Sequence, residues 1–310
     1  MKVNILMSTY NGQQFLAEQI RSIQEQTYTD WTLLVRDDGS SDKTKEILQE
    51  FAIQDSRICL IDLEEQNNLG VIKSFHRLLQ YEKADYYFFS DQDDVWLPDK
   101  LAVSLQEAQS YPTDQPLMVY MDLTVVNQDL QIMTESMIRS QSHHANTQLV
   151  QELTENTVTG GVAMINHSLA SLWTKTEDII MHDWYLALLA SALGTLVFID
   201  KPGELYRQHA DNVLGARTLS KRFKKWIRPH ILFKVYWELI KNSQKQASFL
   251  LDEPLSPADR ELVQAFVTIM DKPMLERYQI LKRFGLRKNK AFHTFVFKTL
   301  IVTKFAYIKE

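Results

Sequence analysis

One cysteine, Cys59, stands alone among 310 residues, so no disulfide can form within the chain. A fold that needs no oxidising compartment suits a reducing cytosol. Cys59 lies in the apolar stretch Ile58–Ile61, where a small core residue is expected rather than a nucleophile. Long apolar runs are missing too: none approaches the roughly 18 residues that a bilayer-crossing helix requires. Met1-Lys2-Val3-Asn4 passes directly into a short strand-like segment, so no cleavable leader is expected. Internal repeats and low-complexity tracts are absent, and 45% hydrophobic with 24% charged residues excludes a disordered chain. Positive charge is scarce over most of the length. Residues 1–216 carry 14 Lys and Arg against 31 Asp and Glu, a balance of −17, whereas residues 217–310 carry 20 against 8, a balance of +12. The acidic body argues against nucleic acid as a partner, and the basic end argues for an anionic surface nearby.

What is present is a repeated strand, polar turn and helix. Residues 3–8 form an apolar segment that breaks at Tyr10-Asn11-Gly12, after which Phe15, Leu16, Ile20 and Ile23 recur at helical spacing. Residues 31–35 make a second strand ending at Asp37-Asp38-Gly39-Ser40, with Ser41-Asp42 capping a helix through Ile47, Leu48 and Phe51. Residues 58–63 make a third, followed by Asn67-Asn68-Leu69-Gly70 and a helix through Phe75, Leu78 and Leu79. Residues 86–89 make the fourth. Four such repeats imply an α/β fold with a parallel sheet and right-handed crossovers, which sets every polar turn on one sheet edge. Beyond a turn at residues 112–116, strands are expected at 117–120, 124–126, 162–165 and 196–199, with a helix at 182–192. The stretch 136–146 is polar and expected as a mobile loop, Pro202-Gly203 as a turn, and residues past 216 as helices.

The chemistry concentrates where Tyr86-Tyr87-Phe88-Phe89-Ser90 ends in Asp91-Gln92-Asp93-Asp94. The crevice outside the carboxyl ends of such strands is where open α/β folds bind ligands. In the turn after the strand, Asp91 and Asp93 can converge on one hard cation. The plain alternative is a solvated acidic turn capping the next helix, since Asp99 and Lys100 follow Pro98. Together with residues 8–12 and 37–40, the acidic turn offers acceptors for a base and ribose, backbone close to phosphates, and carboxylates for a metal, an inventory that matches a nucleoside diphosphate.

These residues resemble the inverting family 2 glycosyltransferases with the GT-A fold, a Rossmann-like, mostly parallel sheet flanked by helices. The resemblance is carried by Ser8-Thr9-Tyr10-Asn11-Gly12, Asp37-Asp38-Gly39-Ser40-Ser41-Asp42, Asn68-Leu69-Gly70, Asp91-Gln92-Asp93, Thr159-Gly160-Gly161 and His182-Asp183-Trp184. It covers residues 1–215, read as a catalytic domain with a donor half at about 1–110 and an acceptor half at about 111–215; residues 216–310 are read as a basic helical extension. The likeness implies that Ser8, Thr9, Tyr10, Asn11, Asp38 and Gln92 line the donor site, with Tyr10 and Asp38 facing the base, Asp91 the ribose and Asp93 a divalent metal, Mn²⁺ or Mg²⁺. Asp91 is a second candidate ligand and Asp94 has no assigned role. His209 is a further metal candidate, and Arg207 is a candidate to neutralise the departing diphosphate; for each, packing is the alternative. Asp183, late in the fold at a helix start, is the implied general base, with the helix dipole as its plainer role. Gly160, Gly161 and Trp184 would lie on the acceptor side. Relatives often place a small residue and an asparagine after the Asn68-Leu69-Gly70 segment, where this chain has Ser74 and His76. Lys73 is left as a candidate for a phosphate or the base, or as a solvated charge. His143-His144 is read as a solvated loop.

More narrowly, Ser90-Asp91-Gln92-Asp93-Asp94-Val95-Trp96, His182-Asp183-Trp184 and Arg207-Gln208-His209 with a basic helical tail look like bacterial cell-wall polysaccharide rhamnosyltransferases. That resemblance implies dTDP-rhamnose as donor and a polyprenyl-linked glycan as acceptor, at the cytoplasmic face of the plasma membrane. The aromatic and basic residues of 217–245 and 282–309 suit an anionic membrane surface. Alternatively these helices pack on the catalytic domain or on a second copy in a homodimer. Other readings are a UDP-hexose or UDP-HexNAc transferase, a nucleotidyltransferase (disfavoured because residues 8–12 lack Lys and Arg), a phospho-acceptor domain, and a non-catalytic nucleotide-sugar-binding protein.

Overall fold

Alternating apolar residues in the first four strands face two separate cores, which is why each strand is apolar throughout. In the computed structural model, which describes residues 1–62, 67–209 and 229–308, β1 (Val3–Thr9), β2 (Thr32–Asp37), β3 (Ile58–Ile61) and β4 (Tyr86–Ser90) run parallel in the order β3-β2-β1-β4. Val3, Ile5, Leu33, Val35, Tyr86 and Phe88 enter one core, while Leu6, Leu34, Tyr87 and Phe89 enter the other. The crossover helices α1 (Leu16–Gln24), α2 (Thr44–Gln54) and α3 (Val71–Tyr81) occupy the expected positions. Cys59 is half-buried and packs at the edge of the second core.

Past β4 the sheet is mixed. The remaining elements are β5 (Val95–Trp96), α4 (Lys100–Ala108), β6 (Leu117–Val126), β7 (Ile132–Thr134), α5 (Leu149–Glu152), β8 (Ala163–Asn166), α6 (His167–Ala170), α7 (His182–Leu193) and β9 (Thr195–Arg207). β8 runs antiparallel between β4 and β6, β6 is parallel to β9, and β5 is antiparallel to β9. Three sequence expectations are corrected here. The separate strands at 117–120 and 124–126 are one strand, β6, whose register with β9 shifts on both sides of Asp122. Pro202 and Gly203 do not turn the chain: they sit within β9, with Pro202 opposite Asp122 at the irregularity, where a residue lacking an N–H is tolerated. Residues 136–146, expected as a loop, contain a π-helical turn at Ile138–Ser142 and are tied in at both ends. Asp122 accepts from the Ser136 hydroxyl and, at 3.1 Å, from the Ile138 N–H; Asn146 is fully buried, its carbonyl accepting from Tyr120 Oη at 2.7 Å. Polar composition misled because Ser136 and Asn146 are partnered inside the fold, while Arg139, Ser140, His143 and His144 between them are exposed.

Among the described residues four α-helices follow: α8 (Pro229–Ser248), α9 (Pro257–Thr268), α10 (Met274–Arg283) and α11 (Ala291–Thr303). Ser256 caps α9 by accepting the Asp259 N–H at 3.1 Å, with Pro257 in the first turn. Trp237, Ile240 and Ala247 of α8, Val263 and Phe266 of α9, and Leu281, Phe297 and Leu300 of the last two helices share one core with Leu186–Ala190 of α7. Their apolar stripes therefore face the α/β body. The part of the 217–245 expectation that falls on residues 217–228, and the end of the third strand at Leu63, lie outside the described residues. Among the described residues no helix is long and apolar enough to cross a membrane.

Candidate active site

The turns after β1, β2 and β4 meet on one edge and are laced together. Gln92 clamps the first turn: its Nε2 donates to the Tyr10 carbonyl and its Oε1 accepts the Tyr10 N–H, both at 2.9 Å. Gly12 lies against this clamp so closely that a Cβ there would fall 2.3 Å from Gln92 Oε1. Asn11, in the left-handed region at φ 48°, accepts the Ser41 N–H at 2.9 Å and donates its own N–H to Ser40 Oγ at 2.8 Å. Thr9 Oγ1 donates to Asp37 at 3.0 Å, Ser8 is half-buried, and the Tyr10 ring projects to solvent.

Asp38 is buried behind the turn. It accepts the N–H groups of Leu69 at 2.7 Å and Gly70 at 2.8 Å and pairs with buried Arg36, which also donates to Ser74 Oγ at 2.8 Å and the Asn67 carbonyl at 3.0 Å. Burial pushes the Asp38 carboxyl up, but the Leu69 N–H, Arg36 and the Gly70 N–H outweigh it and hold the group below the usual carboxylate range. Arg36 thus ties the second turn to the Asn68-Leu69-Gly70 segment, and Ser74 is its partner. Lys73 pairs with Glu177 at 2.8 Å on the surface. His76 reaches the Trp173 carbonyl at 3.0 Å.

The acidic turn after β4 is crowded with like charge. Burial, then Asp93, Glu204 and Asp183, push Asp91 up to about 8. Asp94 is fully buried and held well above the normal range by burial, Glu204, Asp93 and Asp91. Its Oδ1 accepts the Arg207 N–H at 2.8 Å, which assigns it to anchoring the end of β9. Asp93 Oδ2 lies 2.6 Å from His209 Nε2, so those two candidate ligands meet. Among the described residues no cluster of three or more ligands is preformed. The donor set nevertheless fits a divalent cation: a carboxylate and an imidazole meet at Asp93 and His209, and Asp91 is raised first by burial and then by the neighbouring carboxylates, a repulsion that a cation would relieve. Arg207 is only 2% exposed. Its Nε donates to the Asp93 carbonyl at 2.8 Å, Nη1 to the Gln128 carbonyl at 2.6 Å and Nη2 to Glu18 at 2.5 Å, while Phe15 lies beneath it at 4.5 Å. It braces the acidic turn from behind.

Asp183 opens α7 on the opposite wall, 7% exposed, accepting the Trp184 N–H at 2.6 Å. Burial pushes it up to about 6 against the opposing hydrogen bonds from the Trp184 and Gly160 N–H groups. Trp184 Nε1 donates to the Glu152 carbonyl at 2.9 Å, fixing the start of α7 on α5. Beside Asp183, the His182 ring is enclosed by Phe75 at 4.6 Å, Phe89 at 5.1 Å and a parallel Trp173 at 5.9 Å, and burial lowers it to about 3, so it is neutral. The glycine pair is required by contact: a Cβ on Gly160 would stand 3.1 Å from His182 Nε2, and one on Gly161 2.7 Å from Glu204 Oε1.

The floor was not visible in the sequence reading. Lys100 and Glu204, both buried, pair at 2.9 Å; Lys100 also donates to the Gly161 carbonyl and sits 3.7 Å over the Trp96 ring. The only sequence signals were a lone carboxylate within an apolar strand and a lysine at a helix start. Arg36, inside β2, gave a similar signal. The structure thus brings Asp93 and His209 into contact, sets Asp93 and Asp183 within electrostatic reach of Asp91, ties the first turn to Gln92, and leaves Lys73 on the surface.

The profile of Glycosyl transferase family 2 matches residues 4–173, more than half of the chain. The chain belongs to this family. The dTDP-rhamnosyl transferase RfbG of Shigella flexneri is 30% identical over 243 residues, 73% of this chain and 82% of that one. The UDP-Glc:alpha-D-GlcNAc-diphosphoundecaprenol beta-1,3-glucosyltransferase WfgD of Escherichia coli is 37% identical over 103 residues, 33% of this chain and 39% of that one. Among solved structures, S. aureus TarS 1–349 in complex with UDP-GlcNAc covers 92% of this chain and 80% of its own at TM-score 0.60 and 17% identity. The mannosyltransferase PcManGT of Pyrobaculum calidifontis, in complex with GDP-Man and Mn²⁺, covers 91% and 72% at TM-score 0.53 and 15% identity. At those identities the likeness concerns the fold, which is GT-A with a helical C-terminal region. The protein is accordingly a nucleotide-sugar glycosyltransferase.

Proposed function

We propose that this glycosyltransferase inverts the anomeric centre of L-rhamnose as it moves the sugar from dTDP-rhamnose to a lipid-linked glycan in cell-wall polysaccharide synthesis. The observation that carries the sugar assignment is the match to RfbG across 73% of this chain, against about one third for WfgD. In this reading Asp183 takes the proton of the acceptor hydroxyl. The acceptor oxygen bonds to the anomeric carbon as the bond to the β-phosphate breaks, and the nucleoside diphosphate leaves with the electron pair. A carboxyl group raised to about 6 suits that duty near neutral pH, being ionised yet more basic than an exposed aspartate. The turns joined by Gln92 and Asn11 hold the nucleoside, with Asp91 toward the ribose. Asp93 and His209, with Asp91, would hold a divalent Mn²⁺ or Mg²⁺, which supplies positive charge to the leaving diphosphate.

The same reading sets the protein on the cytoplasmic face of the membrane. Support comes from the last helices, where Phe292, Phe295, Phe305 and Ile308 are exposed among Lys288, Lys290, Lys298 and Lys304. Transfer from UDP-glucose is the alternative, favoured by the WfgD match. A thermal-shift screen of nucleoside diphosphates and their sugars, with and without Mn²⁺, separates the two: dTDP and dTDP-rhamnose are expected to give the largest metal-dependent stabilisation, and a preference for UDP would overturn the rhamnose assignment. Asp93→Ala is expected to abolish the metal-dependent part.

A further inference from the structure

Between the catalytic body and the C-terminal helices lies a cleft of about 340 Å³, within the range of small-molecule sites. Its polar lining comes from His144, Gln148 and Gln151 on one side and Arg287, Asn289 and Lys298 on the other. No carboxylate lines it. Arg287 and Lys298 form no ion pair among the described residues, although acidic residues outnumber basic ones in the body they face. The flanking cations are committed elsewhere, Lys288 to the Thr154 carbonyl and Lys290 to the Ser140 carbonyl, and nearby Glu155 accepts the Asn289 N–H at 2.9 Å. Asn289 Nδ2 donates to the His144 carbonyl at 3.3 Å and Gln151 Oε1 accepts the Thr147 and Gln148 N–H groups at 3.2 Å, so the two cations, without an ion pair among the described residues, are the groups that make this an anion site.

We propose that this cleft binds the diphosphate group of the lipid-linked acceptor, an inference that rests on the transferase reading above. Its place suits that ligand at both ends. The cleft lies against α5, where Gln151 lines it and the next residue, Glu152, holds Trp184 Nε1 on its carbonyl at 2.9 Å, so the cleft and the start of α7 that carries Asp183 share one supporting helix. Phe295, 68% exposed, is one helical turn from Lys298 on α11, so an isoprenoid chain leaving the other way meets apolar surface.

Farnesyl diphosphate is the probe, with binding measured by calorimetry on the intact chain. The wild type is expected to bind it and to be inhibited competitively with the lipid-linked acceptor. Arg287→Gln combined with Lys298→Gln is expected to weaken binding at least about tenfold and to raise KM for the acceptor similarly, leaving kcat within about twofold. Arg21→Gln with Lys83→Gln removes the same charge elsewhere and is expected to behave as wild type. Equal binding of farnesyl diphosphate by wild type and cleft variant would overturn the proposal. So would equal binding of farnesol, or a defect confined to phosphatidylglycerol vesicles, which would mark a phospholipid headgroup surface instead. Failure of the wild type to release nucleoside diphosphate from any donor would overturn the transferase reading, while the calorimetry still decides the cleft.

Discussion

Asp183 concentrates the conflict between folding and chemistry in one side chain. Its carboxyl is raised to about 6 from an unfolded value near 3.9, so between those limits the native state holds the proton more tightly. Stability therefore falls as pH rises through this window, and above it the buried charge costs about 3 kcal/mol. Asp183→Asn is expected to lose transfer by about 10²–10⁴-fold while its Tm at pH 7.5 equals or exceeds that of the wild type, with the Tm difference vanishing near pH 4. Wild-type kcat/KM is expected to rise with pH through about 6; a profile flat from pH 5 to 8 would remove Asp183 from the base role. The residue could be picked out beforehand because His182-Asp183-Trp184 resembles the late motif of the family, which has a carboxylate at a helix start. Its raised basicity could not, since that comes from burial against residues far away in sequence.

Between elements, the buried pair of Lys100 on α4 and Glu204 on β9 fastens the floor of the acidic site. Burial lowers the Lys100 ammonium pKa and Glu204 offsets this, so each group is tolerated only with the other. Lys100→Met is expected to cost about 3–5 kcal/mol in urea unfolding, and Lys100→Met with Glu204→Leu to recover most of it. If the double variant is as unstable as the sum of the singles, the pair is not coupled. This element-level device was hidden because the two residues are 104 positions apart and neither belongs to a motif. The first four strands were legible for the opposite reason: each is followed within a few residues by its own turn and crossover helix, so local pattern suffices. β6 and β9 were read too short, because their length is set by pairing with each other across the irregularity at Asp122.

At the scale of the whole molecule, the charge division acquires a structural meaning. The C-terminal helices bury their apolar stripes in the catalytic core and leave aromatics and cations outward at the end of the chain. Flotation with phosphatidylglycerol vesicles is expected to capture the protein at low salt, to release it as salt rises, and to weaken severalfold in Phe292→Ser with Phe295→Ser. Absence of capture at low salt would leave the helices a purely structural role. The sequence by itself determined the topology of the first four strands and the convergence of three polar turns on one edge, because these follow from local periodicity, and its resemblance to the family's short motifs singled out Asp93 and Asp183. Only the tertiary structure decided that Arg207 braces the acidic turn, that Asp94 anchors β9, that Lys100 and Glu204 form the floor, and that a cationic cleft opens between α5 and the C-terminal helices. Those roles depend on desolvation and on contacts between distant segments, which exist only once the chain has folded.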